Sequence, residues 1–165
     1  MKKTNKGFSM VELIIVIAIM AILAGALAPA LIKYINKSRL STDVSNAQTI
    51  ATAVNTAIAN ESAYDEVGGA NSCFTVKETA AIDGFSGANT HACFDAAFTE
   101  AMGGKGIKCK SKKDMNGDTI TQGGYFVEMQ LGSGADVINV YVGTAADASH
   151  QAYPQVAKPL TEKTK

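Results

Sequence analysis

Apolar residues run almost without interruption from Phe8 to Ile32, and the 20 residues from Leu13 to Ile32 carry no charge. At about 1.5 Å rise per residue, a helix of that length spans roughly 30 Å, enough to cross the hydrocarbon core of a bilayer. The pattern then changes without a turn. Lys33, Asn36, Lys37, Ser38 and Arg39 bring in polarity, after which Leu40, Val44, Ala47, Ala51, Val54 and Ile58 recur at 4-3-4-3-4 spacing. That spacing keeps one apolar stripe on a helix. Ser41, Thr42, Asp43, Ser45, Asn46, Gln48 and Thr49 fall between and read as a polar face. One helix from Phe8 to about Glu61 is predicted, roughly 80 Å long at the standard rise. Its first half is apolar all round and suits lipid or a helical bundle. Its second half is amphipathic and should pack on a globular domain. Pro29 cannot donate its backbone hydrogen bond, so a kink is expected near Gly25–Pro29.

Gly68-Gly69 ends the helical pattern. Cys73 to Lys77 reads as a short strand, and residues 80–90, with Gly84, Gly87 and Asn89, as a loop. Ala92 to Met102 reads as a short helix stopped by Gly103-Gly104. Three further strands are predicted: Gly106–Lys112, Tyr125–Leu131 and Val137–Val142. Their connections, Asp114-Met115-Asn116-Gly117-Asp118 and Gly132-Ser133-Gly134, are good turn sequences. The expected fold is α+β, with a three-stranded antiparallel meander burying one face against the amphipathic half of the long helix. The chain divides into residues 1–7, an apolar helix over 8–35, a head over 36–150 and a loose tail over 151–165 that carries Pro154, Pro159 and charges.

One residue breaks the apolar pattern. Glu12 lies inside it, where a carboxylate costs about 2.5–3.5 kcal/mol on insertion scales and calls for a partner. Upstream is a basic leader, Met1-Lys2-Lys3-Thr4-Asn5-Lys6-Gly7, with no acidic residue. Lys6-Gly7-Phe8-Ser9-Met10-Val11-Glu12 followed by a long apolar run resembles the N-terminus of a type IV prepilin. The resemblance is specific over about residues 6–40. It implies cleavage by a prepilin peptidase between Gly7 and Phe8, methylation of Phe8, and Glu12 as the fifth residue of the mature chain. Pro29 falls where many pilins carry a helix-kinking proline. Two other readings compete. An ordinary secretory signal would use Ala26-Leu27-Ala28 as its cleavage site, but Glu12 and Pro29 both oppose it. A plain signal anchor, oriented by Lys2, Lys3 and Lys6 on the cytoplasmic side, explains the lysines but not Gly-Phe-x-x-x-Glu.

The resemblance implies a structural subunit of a type IV pilus: a membrane precursor that an assembly platform and its ATPase lift into a helical homo-oligomer on the cell surface. In that scheme Glu12 neutralises the amino group of Phe8 on a neighbour, in a core where low dielectric strengthens the attraction. The alternative is a minor pilin or pseudopilin of a DNA-uptake or secretion machine. A third reading is an anchored adhesin or DNA receptor that never polymerises.

Charge and composition add limits. The 15 basic and 15 acidic residues balance, and loss of residues 1–7 leaves 12 against 15. That is no global nucleic-acid footprint. The local exception is Lys105, Lys108, Lys110, Lys112 and Lys113, where strand alternation would put Lys108, Lys110 and Lys112 on one face. Such a row could touch DNA phosphates, or could simply be a solvated strand that resists edge pairing. Three cysteines, Cys73, Cys93 and Cys109, lie in the part that export would make disulfide-permissive. One bridge and one free thiol is the simplest outcome, with Cys73–Cys93 the expected pair because it would tie the loop region together. A Cys₃His zinc set with His91, or reduced buried thiols, are the alternatives. Asp114, Asn116 and Asp118 supply oxygens at calcium-loop spacing, but Thr119 and Tyr125 stand where glycine and glutamate are required, which favours a hairpin turn. With two histidines and no nucleophile–base pattern, the chain is expected to be no enzyme, without metal or cofactor.

Overall fold

The computed structural model describes residues 7–68, 71–78, 82–86, 91–114, 117–121, 123–132, 136–143 and 150–154. The chain falls into two compact units, Met1–Ile35 and Asn36–Lys165. Helix α1, Met10–Ile58, continues unbroken through Pro29. Its residues up to Ile35 belong to the first unit and the remainder to the second.

The second unit is α+β. The predicted stripe is its spine: Leu40, Val44, Ala47, Ala51 and Val54 are buried, joined by Ile50, Ala53 and Ala57. The long helix stops a few residues short of the expected end at Glu61. Asn60 takes extended geometry, and its side-chain oxygen accepts from the N–H groups of Ser62 and Ala63 at 3.0 and 3.5 Å. Asparagine at that position satisfies two orphan donors and starts a new helix, α2, Glu61–Val67.

Five strands follow: β1 Asn71–Val76, β2 Ile82–Ser86, β3 Tyr125–Gln130, β4 Val137–Val142 and β5 Gln151–Tyr153. Their spatial order is β2-β1-β3-β4-β5, with every pairing antiparallel. In the central rungs Phe74 faces Val127 and Val127 faces Val140, while Val76 faces Tyr125 and Tyr125 faces Val142. These residues are buried and form one core with the α1 stripe. Helix α3, Ala92–Ala101, adds Phe94 and Phe98, whose rings meet Phe74 edge-on at centroid distances of 5.6 and 5.8 Å. Just before β3, Gly124 has φ +146°, and a Cβ there would lie 2.1 Å from the carbonyl oxygen of Val76. Only glycine lets β1 and β3 approach so closely at that end.

Several expectations change. The loop expected over residues 80–90 contains edge strand β2 at residues 82–86, with Phe85 stacked on Phe74. The strand expected over Gly106–Lys112, beside β3, forms no ladder, and β1 takes the place beside β3. The tail expected from residue 151 begins instead with β5, whose Ala152 is buried beside β4. The rest of that tail, from residue 155, lies outside the described residues, as do residues 1–6, Asn116 and Ser133-Gly134 of the expected turns.

Candidate assembly site

Every large apolar side chain from Phe8 to Ile35 is exposed, Phe8 by 85%. Helix α1 is the one described helix long and apolar enough to cross a membrane. Its N-terminus is organised by the carboxylate that breaks the apolar pattern. Glu12 Oε2 accepts from the Ser9 N–H at 2.9 Å, and the Ser9 carbonyl accepts from Leu13 N–H at 3.2 Å. Ser9 is therefore the N-cap and Glu12 the third helical residue, the carboxylate half of a capping box. A negative charge there also complements the helix dipole. This local role was readable in Ser9-x-x-Glu12, and sequence reasoning on the charge alone missed it. Among the described residues, the other oxygen of Glu12 accepts no hydrogen bond. Gly7 sits in open space, with nothing within 4 Å of where a Cβ would be, and so does Gly25. Packing in the folded chain does not explain why residue 7 is glycine.

The structure separates the three thiols, and the expected Cys73–Cys93 bridge is not formed. The physical reason is the pleat. Ser72, Phe74 and Val76 of β1 face the core, so Cys73 faces the other side of the sheet. Cys93 opens α3, which packs through Phe94 and Phe98 on the Phe74 side. Cys109 is buried elsewhere, 3.9 Å from a carboxylate oxygen of Asp43. Among the described residues no group of three or more His, Cys, Asp or Glu side chains is arranged to hold a metal ion.

Asp43 is the site residue that the hydrophobic pattern hid, since it read as part of the polar face of α1. It is fully buried. Its Oδ1 accepts from Lys110 N–H at 2.9 Å and from the Tyr125 hydroxyl at 2.8 Å, and its Oδ2 accepts from Ser111 N–H at 2.8 Å. The Tyr125 hydroxyl in turn accepts from Asn46 Nδ2 at 2.9 Å. Burial, followed by the nearby Asp43 charge, pushes the Tyr125 phenol well above its ordinary range, although the Asn46 bond pulls the other way. The Asp43 carboxylate thus takes the N–H groups of Lys110 and Ser111, which are then not free for a strand ladder. Alternation still holds without a ladder: Cys109 and Ser111 point in, while Lys108, Lys110 and Lys112 are exposed. Next along the chain, Asp114 Oδ1 accepts from Gly117 and Asp118 N–H at 2.8 Å each, and Lys113 bridges Thr119. Asp114 is thus occupied as the cap of a tight turn.

A second carboxylate joins α2 to α3. Glu66 Oε2 accepts from the Cys93 and Phe94 N–H groups at 2.8 and 3.0 Å. Its pKa is lowered, first by the Phe94 N–H. The same carboxylate, through its hydrogen bond and its charge, raises the Cys93 thiol.

Residues 2–28 match the family described as the prokaryotic N-terminal methylation motif. Over 124 residues, the chain is 32% identical to the type IV major fimbrial protein FimA of Dichelobacter nodosus, an alignment that covers 74% of each protein. No solved structure matches the chain.

Proposed function

Because the chain belongs to the type IV pilin family, we propose that it is a structural subunit of a type IV pilus, polymerising through its apolar N-terminal helix into a surface filament. The observation that carries the reading is the uncovered apolar surface from Phe8 to Ile35, with one carboxylate near its start. Such a surface finds cover in two places, a bilayer and a bundle of identical helices. The precursor occupies the first, with Lys2, Lys3 and Lys6 on the cytoplasmic side. The filament core is the second, reached through an assembly platform and its ATPase.

Processing by a prepilin peptidase between Gly7 and Phe8 links the two states. Glycine at residue 7 is not required by packing, which fits a residue kept for recognition by the peptidase. Cleavage frees the amino group of Phe8, which is then methylated in a separate transfer step. Glu12 holds its own helix terminus through Ser9 and has an oxygen left for the Phe8 amine of a neighbour. Buried together, the two charges offset each other, whereas either alone is costly in an apolar core. Pro29 leaves the Gly25 carbonyl without its helical donor, a point where the helix can adapt its curvature to the bundle.

A relative described as a major fimbrial protein, aligned over most of both chains, favours the abundant subunit over a minor pilin or pseudopilin. Mass spectrometry of fibres sheared from cells tests the whole reading. The expected subunit starts at N-methyl-Phe8 and dominates the preparation. A fibre subunit retaining residues 1–7, or starting at Pro29, overturns the processing step. Trace amounts in fibres built of another protein favour the minor-subunit reading.

A further inference from the structure

Positive charge is segregated along the head. No lysine or arginine occurs between Arg39 and Lys77, between Lys77 and Lys105, or between Lys113 and Lys158. Folding turns this into two poles. Asp43 fixes the backbone of Lys110 and Ser111 from inside, while Lys108, Lys110 and Lys112 are exposed to solvent. Lys108 pairs with Glu78 at 2.8 Å. Among the described residues, Lys110, Lys112 and Lys113 have no carboxylate within ion-pair distance of their side chains. Arg39, one helical turn before Asp43 on α1, adds to the same pole.

The other pole lies past the end of α1. Ile58 is 15 residues beyond Asp43, about 22 Å along the helix axis. There α2 begins, bearing Glu61, Asp65 and Glu66, and Glu66 docks the first turn of α3 with its Asp95. Neither α2 nor α3 contains a lysine or arginine. The separation exceeds the screening length of about 8 Å at physiological salt, so among the described residues the two poles of one head do not neutralise each other. A second copy shifted along the same direction can neutralise them.

We propose that the basic segment Lys108–Lys113 of one subunit docks on the acidic α2–α3 face of the next copy of this chain. The inference rests on the filament reading above and names a contact between heads within it. A contact between two different surfaces is heterologous, and where its rotation does not close a ring it extends into a filament. Preorganisation by Asp43 means that the basic segment needs little further ordering on docking.

Full-length chains carrying Lys110→Glu with Lys112→Glu, Glu61→Lys with Asp65→Lys, or all four changes test it, with sheared fibre and cleaved membrane subunit measured together. None of the four side chains is buried, so normal amounts of cleaved subunit are expected. Each two-residue variant should lose about tenfold in fibre yield, and the four-residue swap should return within about twofold of wild type. Unchanged yield in the two-residue variants overturns the proposal, as does a swap that restores nothing. Normal fibres that no longer retain added DNA also overturn it, by making the lysines a polyanion site. A wild-type chain absent from sheared fibres sinks the filament reading itself, whereas wild-type fibres with insensitive variants sink the inference alone.

Discussion

Replacing Asp43 by alanine should be the most damaging single change of a charged residue in the head. The carboxylate is fully buried and receives three strong donors: Lys110 N–H, Ser111 N–H and the Tyr125 hydroxyl, at 2.9, 2.8 and 2.8 Å. Alanine leaves all three without an acceptor, at about 1–3 kcal/mol for each buried donor. Two effects reduce the total. Lys110 N–H is only part-buried, so water can reach it. Among the described residues no cation pairs with Asp43, so its removal also relieves the desolvation of a buried acid. A net loss of about 3–5 kcal/mol remains. For a head of this size, about 4 °C of melting temperature accompanies each kcal/mol, giving a fall of about 12–20 °C. The change Asp43→Asn is not conservative here. An amide offers one oxygen, so its NH₂ must confront either Ser111 N–H or the Lys110 and Tyr125 donors, and a loss of about 2–3 kcal/mol is expected. The assay is thermal unfolding of the head beginning at Asn36, with hydrogen exchange at the Lys110 and Ser111 amides as a local readout. A melting temperature within about 3 °C of wild type for Asp43→Ala, with both amides still protected, would refute the reasoning.

Glu12→Ala should insert and be cleaved normally, because the Gly7–Phe8 junction is untouched, yet yield little sheared fibre. Glu12→Gln should fail largely too, since it keeps the shape and the Ser9 hydrogen bond but not the charge, and wild-type yield from both would remove the electrostatic role. Glu66 has a lowered folded pKa, so its stabilisation is present above about pH 4.5 and lost as pH falls through the folded value. Glu66→Gln should therefore flatten the acid limb of stability against pH below about 4.5, and an unchanged limb would show that the α3 cap does not govern it. Gly124→Ala places a Cβ 2.1 Å from the Val76 oxygen at a φ of +146°, so urea unfolding should show a loss of about 3 kcal/mol, and a loss below about 1 kcal/mol would mean that β1 gives way easily.

Local pattern and local chemistry were enough for much of this protein. The uncharged run from Leu13 to Ile32, the 4-3-4 stripe from Leu40 and the alternation in Tyr125–Leu131 and Val137–Val142 each follow from the period of one element. The capping sequence Ser9-x-x-Glu12 is likewise contained in a few neighbouring residues. What the tertiary structure decided is partnership. Alternation in residues 106–112 correctly sorted lysines outward and Cys109 inward, but alternation names a face and never a partner. Asp43, 67 residues before Lys110, took the N–H groups of Lys110 and Ser111, and β1 paired with β3 instead. The same holds for the thiols. Their spacing allowed a Cys73–Cys93 bridge, and only the pleat of β1, turning Phe74 toward α3 and Cys73 away, placed them on opposite faces. A buried polar residue and a strand partner are both choices made by segments distant in sequence, where the cost of leaving a donor unmet outweighs what any short window of sequence can express.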